Sequence, residues 1–269
     1  VKHSLLICLF IAAPGVLAGY HYTATTKLDD KTNKQKSEMA VEAWIDGDKA
    51  KILFTETNNP LTPKGAYIIT TDGGKLVYLV NPEKKNYQEW DMNQLLNLAG
   101  SITAMVKIQF SDLKLEKQDE HASDKIHGYA TRYYKYLTSY DLRIKVIGIK
   151  RVQSVITEQE TWVSDRLNDI SLGLWLRNEP PSTGDPELDK LIKAEMSKVK
   201  GFPLRSKTKT VTRQWNKKKT KVKKETVSYA DMEVNTFKKM AIEGATFAIP
   251  DDYELVQGVT GGLKGIFNQ

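Results

Sequence analysis

The side chains best suited to metal binding or proton transfer are three histidines outside the N-terminal apolar segment: His21, His121 and His127. They form no H-x-H, no H-E-x-x-H and no mixed Cys/His set, the spacings that bring ligands to one ion. His127 precedes Gly128 and reads as a turn residue. Glu158 and Glu160 share one face of a strand, where paired carboxylates could do acid–base work. The same pattern is that of a solvated strand face. Asp72-Gly73-Gly74 and Gly261-Gly262 lack the strand, glycine loop and helix of a phosphate cradle. No G-x-S-x-G and no thiol nucleophile follows the apolar segment. This inventory predicts a protein that is not an enzyme and uses no metal or cofactor.

Charge is more informative. The chain carries 40 Lys and Arg against 33 Asp and Glu, and the segment Arg205–Lys224 contains no acid. Its alternation places Arg205, Lys207, Lys209 and Arg213 with Trp215 on one side of a hairpin spanning about 204–228. Lys217, Lys218, Lys219 and Lys221 sit at or near its turn. Basic residues with an aromatic could fit nucleic acid, but the N-terminus argues for export. An anionic membrane surface, an acidic envelope polymer or an envelope protein is then the expected partner. The competing reading is an edge hairpin whose lysines block strand pairing.

Residues 1–18 read as a signal peptide. Lys2 and His3 form a short basic start, and Leu5–Ala13 is apolar but too short to span a bilayer. Val16-Leu17-Ala18 suits cleavage after Ala18. The single cysteine, Cys8, falls inside this leader. Residues 19–269 are expected to form one domain in the periplasm, with no lipid anchor or disulfide.

The elements that must position any site are mostly strands. Gly128–Asp165 alternates aromatic or β-branched residues with charge, the mark of half-buried antiparallel strands. Tyr20–Leu28, Ser37–Ile45 and Lys49–Thr57 alternate too, with a tight turn at Asp46-Gly47-Asp48. Ala66–Thr71, Lys75–Val80 and Asn86–Trp90 follow. Val106–Leu115 returns to strand, and the charged Glu116–Lys125 reads as a loop. Leu204–Trp215 and Thr220–Val234 make the basic hairpin, and Thr246–Ile249 a last short strand. Two helices are marked. One is capped by Asp91 and has a stripe through Leu95, Leu96, Ala99 and Ile102. The other has Asp185 as cap, Pro186 at its first position and a stripe through Leu188, Leu191, Ile192 and Met196. The expected fold is mainly β (α+β): a curved antiparallel sheet or unclosed β-barrel of ten to twelve strands, covered by two or more helices.

The order of these motifs resembles LolA-like periplasmic proteins, closest to an uncharacterised branch named only by a domain of unknown function. The matching residues are Leu76–Pro82 with Tyr87, Gly128–Tyr134, Thr157–Ser164 and Gly201–Leu204. The resemblance covers about Tyr20 to Pro250. It implies helices lying as a lid over an apolar cavity that holds a lipid or lipoprotein acyl chain, in outer-membrane or envelope maintenance. Under that reading Leu95, Leu96, Ala99, Ile102, Leu191, Ile192, Met196 and Trp162 would line the cavity. The alternative is an envelope interaction or stress-sensor module with a filled core, docking through the basic hairpin and peripherally associated with the envelope.

Overall fold

The computed structural model describes residues 19–60, 62–96, 108–146, 149–167, 182–198 and 201–256. The leader, with Cys8, lies outside them, as do Ala99 and Ile102. The described strands form one sheet. In chain order they are β1 Gly19–Asp30, β2 Gln35–Asp46, β3 Lys49–Glu56, β4 Tyr67–Thr70, β5 Leu76–Asn81, β6 Asn86–Asp91, β7 Ile108–Ile126, β8 Tyr129–Val146, β9 Ile149–Ser164, β10 Phe202–Trp215, β11 Val222–Met240 and β12 Glu254–Leu255. Across the sheet their order is β12-β6-β5-β4-β3-β2-β1-β11-β10-β9-β8-β7. The sheet is mostly hairpins and is not closed: β12 and β7 end it. Two joins are far apart in sequence: β6 with β12, and β1 with β11, the latter antiparallel from Gly19↔Met240 to Asp30↔Ser228.

Turn chemistry sets the registers. Gly47 (φ 57°) turns β2 into β3, and His127-Gly128 (φ 50° and 80°) turn β7 into β8. At His127-Gly128, positive φ at both central positions matches the twist of the strands they join. At Gly201 the constraint is stronger. Its φ is 108°, and a Cβ there would stand 2.4 Å from the Ser164 carbonyl oxygen. Only glycine fits where β10 starts against the end of β9.

The sheet bends back on itself. β8 is separated from β11 by β9 and β10, yet the β7–β8 turn reaches β11. His127 Nε2 donates to the Val234 carbonyl at 2.7 Å, and Tyr129 meets Phe237 edge-on at 5.3 Å. Register shifts along β7–β8, at Thr23/Ala24, at Pro203/Arg205 and at Gln214/Trp215 supply the extra local twist that such bending needs.

Two apolar clusters follow from the alternation. One face of β1–β3 and β11 carries Tyr20, Tyr22, Ala43, Ile45, Ala50, Val234 and Phe237, joined by Phe202 and Leu204 of β10 and by Leu167. The opposite face of β3–β5 carries Tyr67, Ile69 and Val80. The chain after β11 crosses this face and packs Phe247 there, with Ile242, Ile249 and Tyr253 alongside.

Several elements differ from the sequence reading. The expected loop Glu116–Lys125 is strand: β7 runs unbroken to Ile126 because β8 supplies a full ladder, and its charges stay in solvent at a sheet edge. The stretch Gly128–Asp165 is occupied mainly by two long antiparallel strands, β8 and β9. Thr246–Ile249 is not a strand. A 3-10 turn at Gly244–Phe247 takes its place and buries Phe247. β12 pairs in parallel with β6, an exception to the antiparallel pattern. The basic hairpin is not at an edge either: β10 and β11 are central strands.

Of the expected helices, the first is seen as α1, residues 92–96, with Asp91 Oδ1 accepting from the Asn93 and Gln94 amides at 2.9 and 3.1 Å. The rest of that stripe lies outside the described residues. The second helix, α2 (Pro186–Met196), begins where the sequence marks it. Asp185 accepts from the Glu187 and Leu188 amides, and none of the side chains on α2 is fully buried.

Candidate apolar binding site

On the face that carries Tyr22 and Ile45, the bend leaves a cavity of about 410 Å³. Each wall strand gives alternate residues, as the pleat dictates. β1 gives Tyr22, Ala24 and Thr26; β2 gives Met39, Val41 and Ile45; β3 gives Ala50, Ile52 and Phe54. Ile68, Phe202, Pro203, Met232 and Val234 complete the apolar wall, with Asn59 and Thr62 from the β3–β4 loop. The registers align these rows, for instance Ala24 with Val41 on one side and Val234 on the other. Among the described residues, no acid or base lines this cavity. The titratable group in the described wall is the Tyr22 phenol, which burial pushes up to about 12, so the described wall is neutral throughout the physiological range. A site of this size and composition suits an apolar ligand, with little to recognise a charged one.

Of the residues expected to line the cavity, Ala99 and Ile102 lie outside the described residues, and Leu95, Leu96, Leu191, Ile192, Met196 and Trp162 are not part of its described wall. Trp162 is on the opposite face of the sheet. It sits between the Arg205 guanidinium, 5.7 Å from its ring, and Tyr133, whose ring meets it at 5.1 Å. Leu191, Ile192 and Met196 are half-buried on α2, which packs against β7. Lys198, just beyond α2, holds it to β9 by donating to Gln159 Oε1 at 3.0 Å while pairing with Glu195 at 2.6 Å. Leu95 and Leu96 are half-buried on α1. The cavity's described wall comes from strands. Its signal was in the sequence, in the alternation Tyr20-Tyr22-Ala24 and Met39-Val41-Ala43-Ile45, but a strand's apolar face reads equally well as filled core.

The basic stretch also changes meaning. Arg205 pairs with Glu233 at 2.5 Å and Arg213 with Glu225 at 2.7 Å. Lys207 lies opposite Glu160 and Asp231, and Lys209 opposite Glu158. One row across seven strands alternates in sign: Glu38, Lys27, Asp231, Lys207, Glu160, Lys135, Asp119. The strand part of the hairpin is therefore neutralised by its neighbours. Glu158 and Glu160 share Lys135 at 3.2 and 3.8 Å, the geometry of a solvated charge lattice. Lys217, Lys218 and Lys221 are exposed, whereas Lys219 pairs with Asp141. Among the described residues no group of three or more His, Cys, Asp or Glu is placed to hold a metal ion, and no helix is long and apolar enough to cross a membrane.

Asp141 is buried and anchors the β10–β11 turn. Burial pushes its carboxyl up, but hydrogen bonds from Lys219 and Ser154 and the charges of Lys219 and Arg143 outweigh that and hold it below the usual range. Ser154 in turn accepts from Trp215 Nε1 at 2.8 Å. A carboxyl with a lowered folded pKa adds stability above its unfolded value of about 3.9, and that stability is lost as pH falls through the folded value. Asp141→Asn is thus expected to lower the urea midpoint at pH 7, with the gap from wild type narrowing at pH 3. A gap that is constant with pH would show that the charge of Asp141 is not what anchors the turn.

No protein-family profile matches the chain, and no curated protein matches it significantly. Solved structures to which the chain bears a distant likeness include an uncharacterized conserved protein from Thermus thermophilus. It has a TM-score of 0.36 and 11% identity, over 90% of this chain and 92% of that one. PNGF-II has a TM-score of 0.34 and 11% identity over 94% of this chain, which spans only 34% of PNGF-II. A DUF1329 family protein from Desulfovibrio piger has a TM-score of 0.30 and 10% identity, over 86% of this chain and 89% of that one. These likenesses are too distant to say what the chain binds or does.

Proposed function

We propose that the protein is a LolA-like, non-enzymatic binder of a lipid acyl chain or other apolar ligand, working in the periplasm in outer-membrane or envelope maintenance. The observation that carries this reading is a cavity of about 410 Å³, uncharged in its described wall, in the bend of an unclosed sheet. Its volume falls in the usual range for ligand sites, about 300–1,000 Å³. Each methylene moved from water onto such a wall contributes about 0.8 kcal/mol, so a chain of several methylenes is held without any polar anchor. The leader pattern of residues 1–18 and the resemblance of the strand motifs support the compartment and the carrier role. A fluorescent fatty-acid probe should bind saturably, with one site per chain, and unlabelled fatty acid should displace it. Absence of saturable binding would leave the sheet a filled structural core and end the carrier reading.

A further inference from the structure

The fold collects lysines that the sequence keeps far apart. β1, β10 and β8 all run toward one end of the sheet, so the β1–β2, β10–β11 and β8–β9 turns lie together there. The first turn is fixed to β11: the Lys31 amide donates to the Val227 carbonyl at 3.0 Å, and the Val227 amide to Thr32 Oγ1 at 3.0 Å. The second lies beside the third, because Trp215 is opposite Val152 and Lys145 opposite Lys150. Lys31 and Lys34 come from the first turn, Lys217, Lys218 and Lys221 from the second, and Lys145, Lys150 and Arg151 from the third. All are exposed.

The described acids beside these three turns are engaged. Asp29 holds Lys31, and Asp30 accepts from Thr32 and Asn33. Asp141 holds Lys219, Glu225 holds Arg213, and Asp112 takes the Ser111 hydroxyl. The opposite end mixes signs, with Asp46, Asp48 and Lys49 at one turn and Asp124 and Lys125 at another.

We propose that this three-turn rim docks the protein on an anionic phospholipid bilayer. The choice of a bilayer over other polyanions rests on the ligand reading of the cavity. The cavity wall ends toward this rim in Thr26, Met39, Asn59 and Thr62. The next row on the same face, Leu28, Ser37 and Ala230, lines a hollow of about 800 Å³ whose charged residues are Lys34 and Lys36 with the engaged Asp29 and Asp30. An acyl chain leaving the cavity along this face emerges among the lysines. Leu28 and Val222, 48% and 37% exposed, add apolar contacts at the same end. Lysines on turns give a point-charge surface suited to headgroup phosphates.

The test compares two triple variants of equal charge change in the full chain. Lys34→Gln/Lys150→Gln/Lys218→Gln takes one lysine from each turn. Lys27→Gln/Lys135→Gln/Lys207→Gln takes three from the neutralised lattice. On vesicles of phosphatidylglycerol and phosphatidylcholine at 0.1 M salt, the rim triple should lose at least tenfold in affinity and the lattice triple less than threefold. Pure phosphatidylcholine should bind neither. Equal losses in the two triples would reduce the effect to net charge and overturn the proposal. So would equal binding to neutral vesicles, or duplex DNA or polyglutamate bound as tightly as the anionic vesicles at the same salt. The rim triple should keep wild-type affinity for the fatty-acid probe. Failure of the cavity reading would instead show as no probe binding in any form, whatever the vesicles do.

Discussion

Phe202→Ala is expected to cost about 3–5 kcal/mol of folding stability, the usual loss for an aromatic core truncation. Phe202 is 2% exposed. Its ring meets Tyr22 edge-on at 5.4 Å and Phe237 at 5.4 Å. Aromatic pairs of this kind add about 0.5–1.5 kcal/mol beyond the area they bury. The residue also has a topological role. It starts β10, follows the glycine that lets the chain pass Ser164, and joins the β9–β10 part of the sheet to the β1–β2 face. Against a total stability of about 5–15 kcal/mol, its loss should lower the denaturant midpoint sharply with little change in slope. A loss below about 1 kcal/mol would mean that the two parts of the sheet do not depend on this cluster.

The second large effect is on binding. Met232 lies on β11 between Ser206 of β10 and Thr26 of β1, half-buried against the apolar cluster and facing the cavity. Met232→Trp should fill ligand space while keeping an apolar wall, and so weaken the fatty-acid probe at least tenfold, about 1.4 kcal/mol. Far-UV circular dichroism should stay that of the wild-type sheet. Lys209→Gln, exposed on the other face, should leave the probe unaffected. Equal affinity in wild type and Met232→Trp would place the probe outside this cavity.

Local structure was legible where the chain carries its own instructions. Asp46-Gly47, His127-Gly128, the Asp185 cap with Pro186 and the first strands all sit where residue chemistry puts them. Partner-dependent features were not. Glu116–Lys125 is highly charged and extends as strand only because β8 lies beside it. Thr246–Ile249 alternates like a strand but finds its partner in a buried Phe247 rather than a ladder. The basic run Arg205–Lys224 shows no acid in sequence, yet Glu233, Glu225, Asp231, Glu158 and Glu160 meet it across the sheet. The helical stripes do not point to the described cavity wall for a similar reason. A helical stripe announces a buried face, but which face it covers is set by long-range packing. α2 lies against β7, while the described cavity wall is built from strands.

The most direct test of where the ligand sits is methyl-labelled NMR of isoleucine, leucine and methionine during titration with a saturated fatty acid. Saturable shifts are expected at the Met39, Met232, Ile45, Ile52 and Ile68 methyls, with Leu191, Ile192 and Met196 unmoved. Shifts confined to those three α2 residues, or none at all at saturating ligand, would contradict this placement.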